Sequence, residues 1–424
     1  MLRTLALLLS CALAPLPAAV LHCGKLIDVE KLTVLEEVSI VTSGDEILRV
    51  EPGFAAPAAG EEAIDLRSHT CMPGWMDMHV HLASESNPKA YEERFRLNAA
   101  DYAFRAAVHA KRTLLAGFTT VRDLGTRDGV SIALARAIEQ GLTEGPTIYN
   151  AGRALATTGG HADPTNGVRD DLMHDPGPAE GVVNGVDDAR KAVRQRYKEG
   201  SDLIKITATG GVLSVAKNGQ NPQFTEEEIR AIVETAKDYD FHVAAHAHGA
   251  EGIRRALRAG VHSIEHGTLM DDEGIRLFQE TAAWWVPTIS AGKFVAEKAE
   301  VQGYYPAVII PKALAIGPQV QETFRKAYKA GVKIAFGTDC GVSPHGSNAK
   351  EFVYMTEAGM PPLEAIRAAT LSPAQLLGIA DRVGTVAPGK AADIVATPRD
   401  PAEDITATLQ PSFVMKRGRV YRRP

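Results

Sequence analysis

The stretch Pro73-Gly74-Trp75-Met76-Asp77-Met78-His79-Val80-His81 places two histidines two positions apart in a short apolar run. Residues i and i+2 of a β-strand point to the same side, so the rings of His79 and His81 are expected to project together. Two neutral imidazoles directed at one point are typical of a transition-metal site rather than of a hydrophobic core. A single pair of this kind is a weak signal, and the rest of the chain decides its meaning.

Length and composition describe an ordinary globular enzyme. The chain has 424 residues, of which 45% are hydrophobic and 23% charged, and its net charge is −6. This length accommodates one large domain and a smaller partner domain. The acidic balance argues against a nucleic-acid-binding surface, which would need a basic stripe.

The amino terminus has the pattern of an export signal. Residues 1–19 predict a secretory signal peptide, with Arg3 before the apolar run Leu5–Leu9 and the small-residue region Pro15–Ala19 after it. This apolar run is too short to span a bilayer. A lipoprotein-type cleavage site at Leu8-Leu9-Ser10-Cys11 is the second interpretation. With either signal the chain is expected to leave the cytoplasm, and the signal peptide predicts a periplasmic or secreted protein.

The cysteines of the exported chain do not predict a disulfide framework. Cys23, Cys71 and Cys340 are an odd number, and their spacing suggests no pairing. Cys340 directly follows Asp339, and we expect it to be a free buried thiol.

The arrangement of patterns along the chain predicts an α/β fold with two parts. Short strand-like segments separated by turn residues occupy residues 20–70 and again 384–424, which predicts one small β-sandwich domain built from both termini. Between them, in residues 71–383, short apolar runs alternate with amphipathic stretches. Eight strands are predicted, at Trp75–His81, Thr119–Asp123, Thr147–Asn150, Leu203–Thr207, His242–His246, Ser263–His266, Trp285–Thr288 and Ile334–Gly337. Helices are predicted at Ala99–Ala116, Ala189–Glu199, Thr225–Asp238, Ala250–Ala259 and Pro318–Ala330. This alternation predicts a (β/α)8 TIM barrel, whose functional residues lie at the carboxyl ends of the strands.

Ligand-type side chains collect at the ends of the predicted strands. They are His79 and His81 on the first strand, Lys205 on the fourth, His246 and His248 on the fifth, His266 on the sixth and Asp339 after the eighth. Each one alone is more often a structural residue. Their shared position at one end of the predicted barrel favours a metal site over separate structural roles.

Among these residues, Lys205 is the most informative about the kind of metal site. A buried ammonium next to divalent cations is unfavourable, because like charge and desolvation both lower the pKa of the amine. A neutral lysine amine reacts with carbon dioxide to give an anionic carbamate, whose two oxygens are able to bridge two cations.

These motifs resemble the amidohydrolase superfamily from about Leu21 to the carboxyl terminus. The resemblance is carried by Pro73–His81, Gly117–Asp123, Thr158–His161, Lys205, His246–Gly249, Glu265–Gly267, Thr338-Asp339 and Gly384–Asp393. Within the superfamily, the chain is most similar to the secreted, imidazolonepropionase-like branch. That branch contains Xaa-Pro dipeptidases, carboxypeptidases that release carboxyl-terminal amino acids, and ochratoxin-hydrolysing amidases.

The resemblance implies a binuclear metal centre. His79, His81 and Asp339 would hold one divalent cation, His246 and His266 the second, and carboxylated Lys205 would bridge them, with zinc as the default metal. A hydroxide between the two cations would attack an amide carbonyl. Asp339 would pass the proton to the leaving amine, and His248 would stabilise the oxyanion or contact the substrate. The resemblance also implies a small-molecule amide or peptide substrate and a homo-oligomer.

Weaker candidates for substrate contact lie in the loops. His161 follows the third strand and His345 the eighth, and for both a loop-stabilising hydrogen bond is an equal alternative. Arg153 and Lys217 could meet the carboxylate of a released amino acid, although both could be solvated loop charges.

Two alternatives remain at the level of sequence. The first is a mononuclear hydrolase of cyclic amides or amidines, of the imidazolonepropionase or deaminase type, against which Lys205 counts. The second is a non-catalytic scaffold, which should lack some of the ligand positions, whereas all six are filled here.

Overall fold

The computed structural model describes residues 18–216 and 218–424, so the predicted signal peptide and Lys217 fall outside it, apart from Ala18 and Ala19. The strands are β1 Ala19–Asp28, β2 Thr33–Ser43, β3 Glu46–Pro52, β4 Glu62–Pro73, β5 Trp75–Val80, β6 Phe118–Asp123, β7 Thr147–Asn150, β8 Leu203–Thr207, β9 His242–Ala247, β10 Ser263–His266, β11 Trp284–Val286, β12 Ile394–Thr397, β13 Phe413–Lys416 and β14 Arg419–Arg422. The helices are α1 Ala90–Glu93, α2 Ala99–Leu115, α3 Val130–Glu139, α4 Val186–Glu199, α5 Glu226–Lys237, α6 Ala250–Arg258, α7 Asp272–Glu280, α8 Ile289–Ala299, α9 Ile310–Ile316, α10 Gln319–Lys329, α11 Lys350–Glu357, α12 Pro362–Ala368 and α13 Leu371–Leu376.

Strands from both ends of the chain form one seven-stranded sheet. Its order is β14-β13-β12-β4-β1-β2-β3, with β1 parallel to β4 and β12 antiparallel to β4. The edge strand β3 also contacts the chain before β12, where Ile47 N donates to Lys390 O at 2.8 Å. Leu21, Leu66 and Phe413 belong to the core of this sheet and are fully buried. The two termini therefore share a single hydrophobic core, as the strand-like patterns at both ends predicted.

The central strands are parallel and alternate with helices. β5, β6 and β7 form one sheet, and β8, β9, β10 and β11 form a second. At the junction of the two sheets, Asp202 N donates to Asn150 O at 2.8 Å and Leu155 forms a parallel bridge with Ile206. These strands are buried in a hydrophobic core that includes Trp75 and Phe352, as expected for parallel strands covered by helices.

The eighth predicted strand is not a regular strand. Its residues do contact both neighbours, since Ala335 N donates to Trp285 O at 3.0 Å and Phe336 O accepts from Met78 N at 2.9 Å. The Phe336 N–H, however, is donated to Ala368 O at 2.7 Å, outside the ladder. The pairing is thereby reduced to isolated bridges, which the alternation of apolar residues alone could not reveal.

The five predicted helices are confirmed, with boundaries that shift by a few residues at most. Helix α5 begins where its capping box places it, because the Thr225 side chain accepts from Glu228 N and the Glu228 side chain accepts from Thr225 N. Among residues 18–216 and 218–424, none of the helices combines the length and apolar character that crossing a membrane requires.

The structure contains a disulfide that the spacing of the cysteines did not suggest. Cys23 and Cys71 form a disulfide with a Cα–Cα distance of 6.0 Å, while Cys340 is free and buried as expected. The disulfide lies where the register of the parallel strands β1 and β4 is irregular, with Cys23 opposite Leu66 and Cys71 opposite Leu26. Cysteine spacing carries no information about that register, so the bond could not be predicted from sequence.

Reduction of the Cys23–Cys71 disulfide is expected to lower the free energy of unfolding by about 4 kcal/mol, because the bond closes a 48-residue separation in the unfolded chain. Guanidinium unfolding with and without reductant measures the difference. The variant Cys340→Ala should show the same sensitivity to reductant. A Cys23→Ser/Cys71→Ser double variant as stable as the unaltered protein would contradict the assignment.

Candidate metal centre

One cavity brings together all six positions that the sequence analysis assigned to the metal centre. It has a volume of about 400 Å³ and opens at the carboxyl ends of the central strands. The six are His79, His81, Lys205, His246, His266 and Asp339. Residues that are distant in sequence thus line one cavity, as expected if they lie at the carboxyl ends of neighbouring parallel strands.

The potential ligand atoms form two adjoining groups. His79, His81 and Asp339 make one group, and within it the His81 Nε2 to Asp339 Oδ1 distance is 3.3 Å. The second group comprises three imidazoles, those of His246, His248 and His266. The ring centroids of His79 and His266 are 4.9 Å apart, so the groups are neighbours. By distance, His248 belongs with the two histidines that the sequence analysis assigned to the second cation.

Lys205 lies against the first group. Its Nζ is 3.4 Å from His79 Nε2, and only 4% of the residue is exposed. Burial lowers the pKa of its amine to about 8. The part of the chain that the structure describes offers this ammonium no ion pair within 4.0 Å. Burial therefore raises the fraction of neutral amine, the form that reacts with carbon dioxide, above that of an exposed lysine.

Four imidazoles of the cavity, those of His79, His246, His248 and His266, are held in their neutral form, whereas the pKa of His81 is raised because Asp339 outweighs the effect of burial. Burial lowers the pKa of His79 to about 4 and that of His248 to about 3, and it moves those of His246 and His266 well below the usual value. A neutral imidazole is the form that binds a metal ion.

Each of the four histidines assigned to a metal has one ring nitrogen held by the protein. The contacts are His79 Nδ1 to Glu265 Oε2 at 3.0 Å, His81 Nδ1 to Gly125 O at 2.9 Å, His246 Nε2 to Gly210 O at 3.0 Å and His266 Nδ1 to Thr288 Oγ1 at 2.8 Å. Such contacts select the tautomer and direct the other nitrogen toward a ligand.

Asp339 supplies the clearest test of whether a metal ion suits this site. Its Oδ1 is buried and has no hydrogen-bond partner among the described residues. A buried carboxylate oxygen without a donor is costly, and a bound cation would satisfy it. The backbone φ of Asp339 is 57° and that of His266 is 68°, a region that residues other than glycine rarely adopt. Strained backbone of this kind concentrates at functional sites.

Asp77, from the opening motif, fixes the segment that carries Asp339. Its carboxylate accepts from Thr338 N at 3.1 Å, Thr338 Oγ1 at 2.6 Å, and Asn348 Nδ2 at 2.8 Å. It also accepts from His79 N at 3.1 Å. One buried carboxylate therefore links the strand that bears the histidine pair to the loop that bears the aspartate.

Sequence reasoning assigned no role to Arg122 or Glu265, although both stand in quoted motifs. Both are fully buried, and Arg122 Nη2 is 2.8 Å from Glu265 Oε1, while the other Glu265 oxygen faces His79. Burial opposes the charge on Glu265, but Arg122 and His79 outweigh it and hold its pKa at about 2. The available signal was a charged residue at an interior strand position in both β6 and β10.

Of the weaker loop candidates, the structure places two in the cavity and one outside it. His161 lines the cavity and its ring stacks on that of His246, with centroids 4.5 Å apart. Arg153 also lines the cavity, but its guanidinium pairs with Asp128 at 3.2 Å. His345 is placed elsewhere: it is buried against His109, with a 4.5 Å ring stack, and its Nε2 contacts a backbone carbonyl. His345 is not among the residues that line the cavity, and its contact with the Ser84 carbonyl fits the alternative of a loop-stabilising hydrogen bond.

The chain is similar to known proteins over most of its length. A model described as the amidohydrolase family matches residues 70–421. Ochratoxinase of Aspergillus niger is 34% identical over 373 residues, which cover 83% of this chain and 76% of that protein. Imidazolonepropionase of Geobacillus kaustophilus is 26% identical over 379 residues, covering 85% of this chain and 82% of that protein.

A solved structure extends the similarity to the whole fold. A Xaa-Pro dipeptidase with methionine bound in its active site is 52% identical, with a TM-score of 0.93 and coverage of 96% of this chain and 100% of that chain. The family match and this structure imply a TIM barrel with a β-sandwich domain. The parallel central strands and the seven-stranded terminal sheet agree with that architecture.

Replacing Glu265 by Gln should weaken metal binding by about 10- to 100-fold, because the amide loses the charge that orients His79 and leaves Arg122 without a counterion. Competition with a metal chelator measures the affinity. The control is Glu234→Gln, an exposed change on α5. Equal affinity in the two variants would show that Glu265 does not orient the ligand.

Proposed function

The chain belongs to the amidohydrolase family and is a hydrolase of amide bonds, and from that premise we propose a binuclear enzyme that releases a carboxyl-terminal amino acid. The observation that carries the proposal is the pair of adjoining ligand groups beside Lys205 in one cavity. A mononuclear site would need only one of these groups. We further propose that the central strands close into a (β/α)8 barrel over residues 71–383, with residues 20–70 and 384–424 as the β-sandwich domain.

In this proposal the described side chains divide between two divalent cations. His79, His81 and Asp339 would hold the first, and His246 and His266 would hold the second. Carboxylated Lys205 would supply a ligand to both, and zinc suits imidazole and carboxylate ligands best. When bound, the cations supply Lewis acidity at the carbonyl and lower the pKa of a water molecule.

Asp339 is proposed to move the proton. Burial opposes its charge, but the neighbouring His79 and His81 outweigh burial and keep the pKa of its carboxyl below the usual value. It is therefore ionised at neutral pH and able to accept a proton from the nucleophilic water and donate it to the leaving amine. His161 and His248, both in the cavity, are available to donate a hydrogen bond to the oxyanion.

The relatives support an amide whose leaving group is an amino acid. Methionine occupies the active site of the similar Xaa-Pro dipeptidase, and another relative is an ochratoxinase. Arg153 lines the cavity and is proposed to meet the carboxylate of the released amino acid, in competition with its partner Asp128. A dipeptide, an N-acyl amino acid and an ochratoxin-type amide are all consistent with this arrangement.

The second candidate is a mononuclear hydrolase of cyclic amides, which the similarity to imidazolonepropionase favours. Buried Lys205 argues against it, because a mononuclear centre has no use for a bridging group. Export and homo-oligomeric assembly remain predictions from the sequence.

Metal analysis of the purified protein, together with hydrolysis of N-acyl amino acids, Xaa-Pro dipeptides and ochratoxin A, tests the proposal. We expect two divalent metal ions per chain and cleavage of at least one of these amides. Lys205→Ala should lose the activity, and metal loading of the metal-free protein should depend on bicarbonate. Lys237→Ala, an exposed change on α5, is the control. A single tightly bound metal with activity independent of Lys205 would favour the mononuclear candidate.

Asp339→Asn should lower kcat by about 10²- to 10⁴-fold at saturating metal, because the amide cannot accept the proton. Asp272→Asn, exposed on α7, provides the comparison. A variant that keeps its metal and loses less than tenfold in kcat would move the proton transfer to another residue.

A further inference from the structure

The ammonium group of Lys312, on α9, is buried among backbone carbonyls. The residue is 8% exposed, and its Nζ donates to Gly211 O at 3.2 Å, Ser214 O at 2.5 Å and Ala216 O at 2.8 Å. None of the described carboxylates lies within 4.0 Å of it. A buried charge that is matched only by carbonyl dipoles carries a desolvation cost, so its retention calls for an explanation.

The three acceptors all belong to the segment after β8, residues 210–216, which we call the β8 loop. Val212, Leu213 and Val215 of this loop line the cavity. Val212 also belongs to an apolar cluster with residues of α8 and α9 that is distinct from the main core. The β8 loop therefore forms one wall of the site and is attached to the body of the protein through α9.

The near end of the β8 loop contacts two imidazoles of the site. Gly210 O accepts the hydrogen bond from His246 Nε2 at 3.0 Å. At Gly211, a Cβ atom would lie 2.2 Å from the ring of His161, so backbone and ring are in close contact. A shift of this backbone would change the tautomer preference of His246 and remove the support of the His161 ring.

Other tethers of the loop to the rest of the protein are neutral. The Tyr91 hydroxyl donates to Leu213 O at 3.0 Å. Hydrogen bonds from a charged donor are about twice as strong as neutral ones, and Lys312 makes three of them. The geometry thus makes Lys312 the principal polar tether of the loop.

We propose that Lys312 is a positioning residue, whose ammonium group holds the β8 loop so that Gly210 O orients His246 and Gly211 supports His161. The inference rests on the proposed hydrolysis at this site. It adds a residue that lies on a helix outside every ligand motif of the chain. Three acceptors converging on one point suit a compact ammonium better than the planar guanidinium of arginine.

The main experiment compares Lys312→Met with Lys326→Met, an exposed change on α10. Methionine keeps the apolar stem but removes the charge and all three donors. We expect kcat/KM to fall by about 10²-fold, as for a displacement of about 1 Å at a catalytic group. Metal affinity should fall by about 10-fold, and amide hydrogen exchange should accelerate within the β8 loop but not in α10.

Chemical rescue separates positioning from general loss of packing. Lys312→Ala leaves space for the missing three carbons and the amine, so propylammonium should restore activity and slow hydrogen exchange in the loop. The alcohol 1-propanol, of similar size but uncharged, should not. Lys312→Arg, which keeps the charge but not the shape, should recover only part of kcat/KM.

The proposal is overturned if Lys312→Met matches Lys326→Met within twofold in kcat/KM, metal affinity and loop exchange. It is also overturned if propylammonium and 1-propanol act alike on Lys312→Ala. If Lys312→Met does not fold, the Ala variant purified with propylammonium and then dialysed free of it decides by the same readouts. Failure of the unaltered protein to cleave any amide would reject the proposed function instead, while loop exchange would still report on Lys312.

Discussion

The buried guanidinium of Arg122 is the constraint on which the centre of the molecule depends. From β6 it donates to Met78 O on β5 at 2.7 Å and pairs with Glu265 on β10, so one side chain ties the two central sheets together. Removing either partner would leave an uncompensated charge in the interior. Because the same Glu265 holds His79, the interaction that joins the sheets also orients a metal ligand.

The site consists of two sets of groups: the ligand-type residues, and the groups that hydrogen-bond to them. The ligand-type residues stand on strands or directly after them, where the parallel ladder and buried partners fix their direction. Some of the groups that hold them come from loops, such as the carbonyls of Gly125 and Gly210, whereas Glu265 stands on β10. Changes in the loops are therefore able to alter the shape of the cavity while the ligand positions are retained.

Most of the architecture could be predicted from the sequence, because the spacing of apolar residues and the order of the apolar runs along the chain indicate it directly. The helical repeat of apolar residues located the helices. Buried parallel strands appear in the sequence as short apolar runs, and seven of the eight predicted central strands agree closely with the structure. The remainder depends on contacts that no local pattern encodes. The donation of Phe336 N to Ala368 O interrupts the last strand, and the disulfide forms where the register of β1 against β4 is irregular. Lys312 lies on an ordinary helix, and only tertiary structure places three carbonyls around its amine.

The pairing of β4 with β12 has a consequence for the order of folding. These strands lie near opposite ends of the chain, so the seven-stranded sheet is incomplete until the carboxyl terminus has left the ribosome. Before that point the β4 edge is unpaired and exposed to association with other chains, a hazard that grows with the sequence distance between partners. This arrangement keeps the nascent chain from completing the sheet before the last strands have been made.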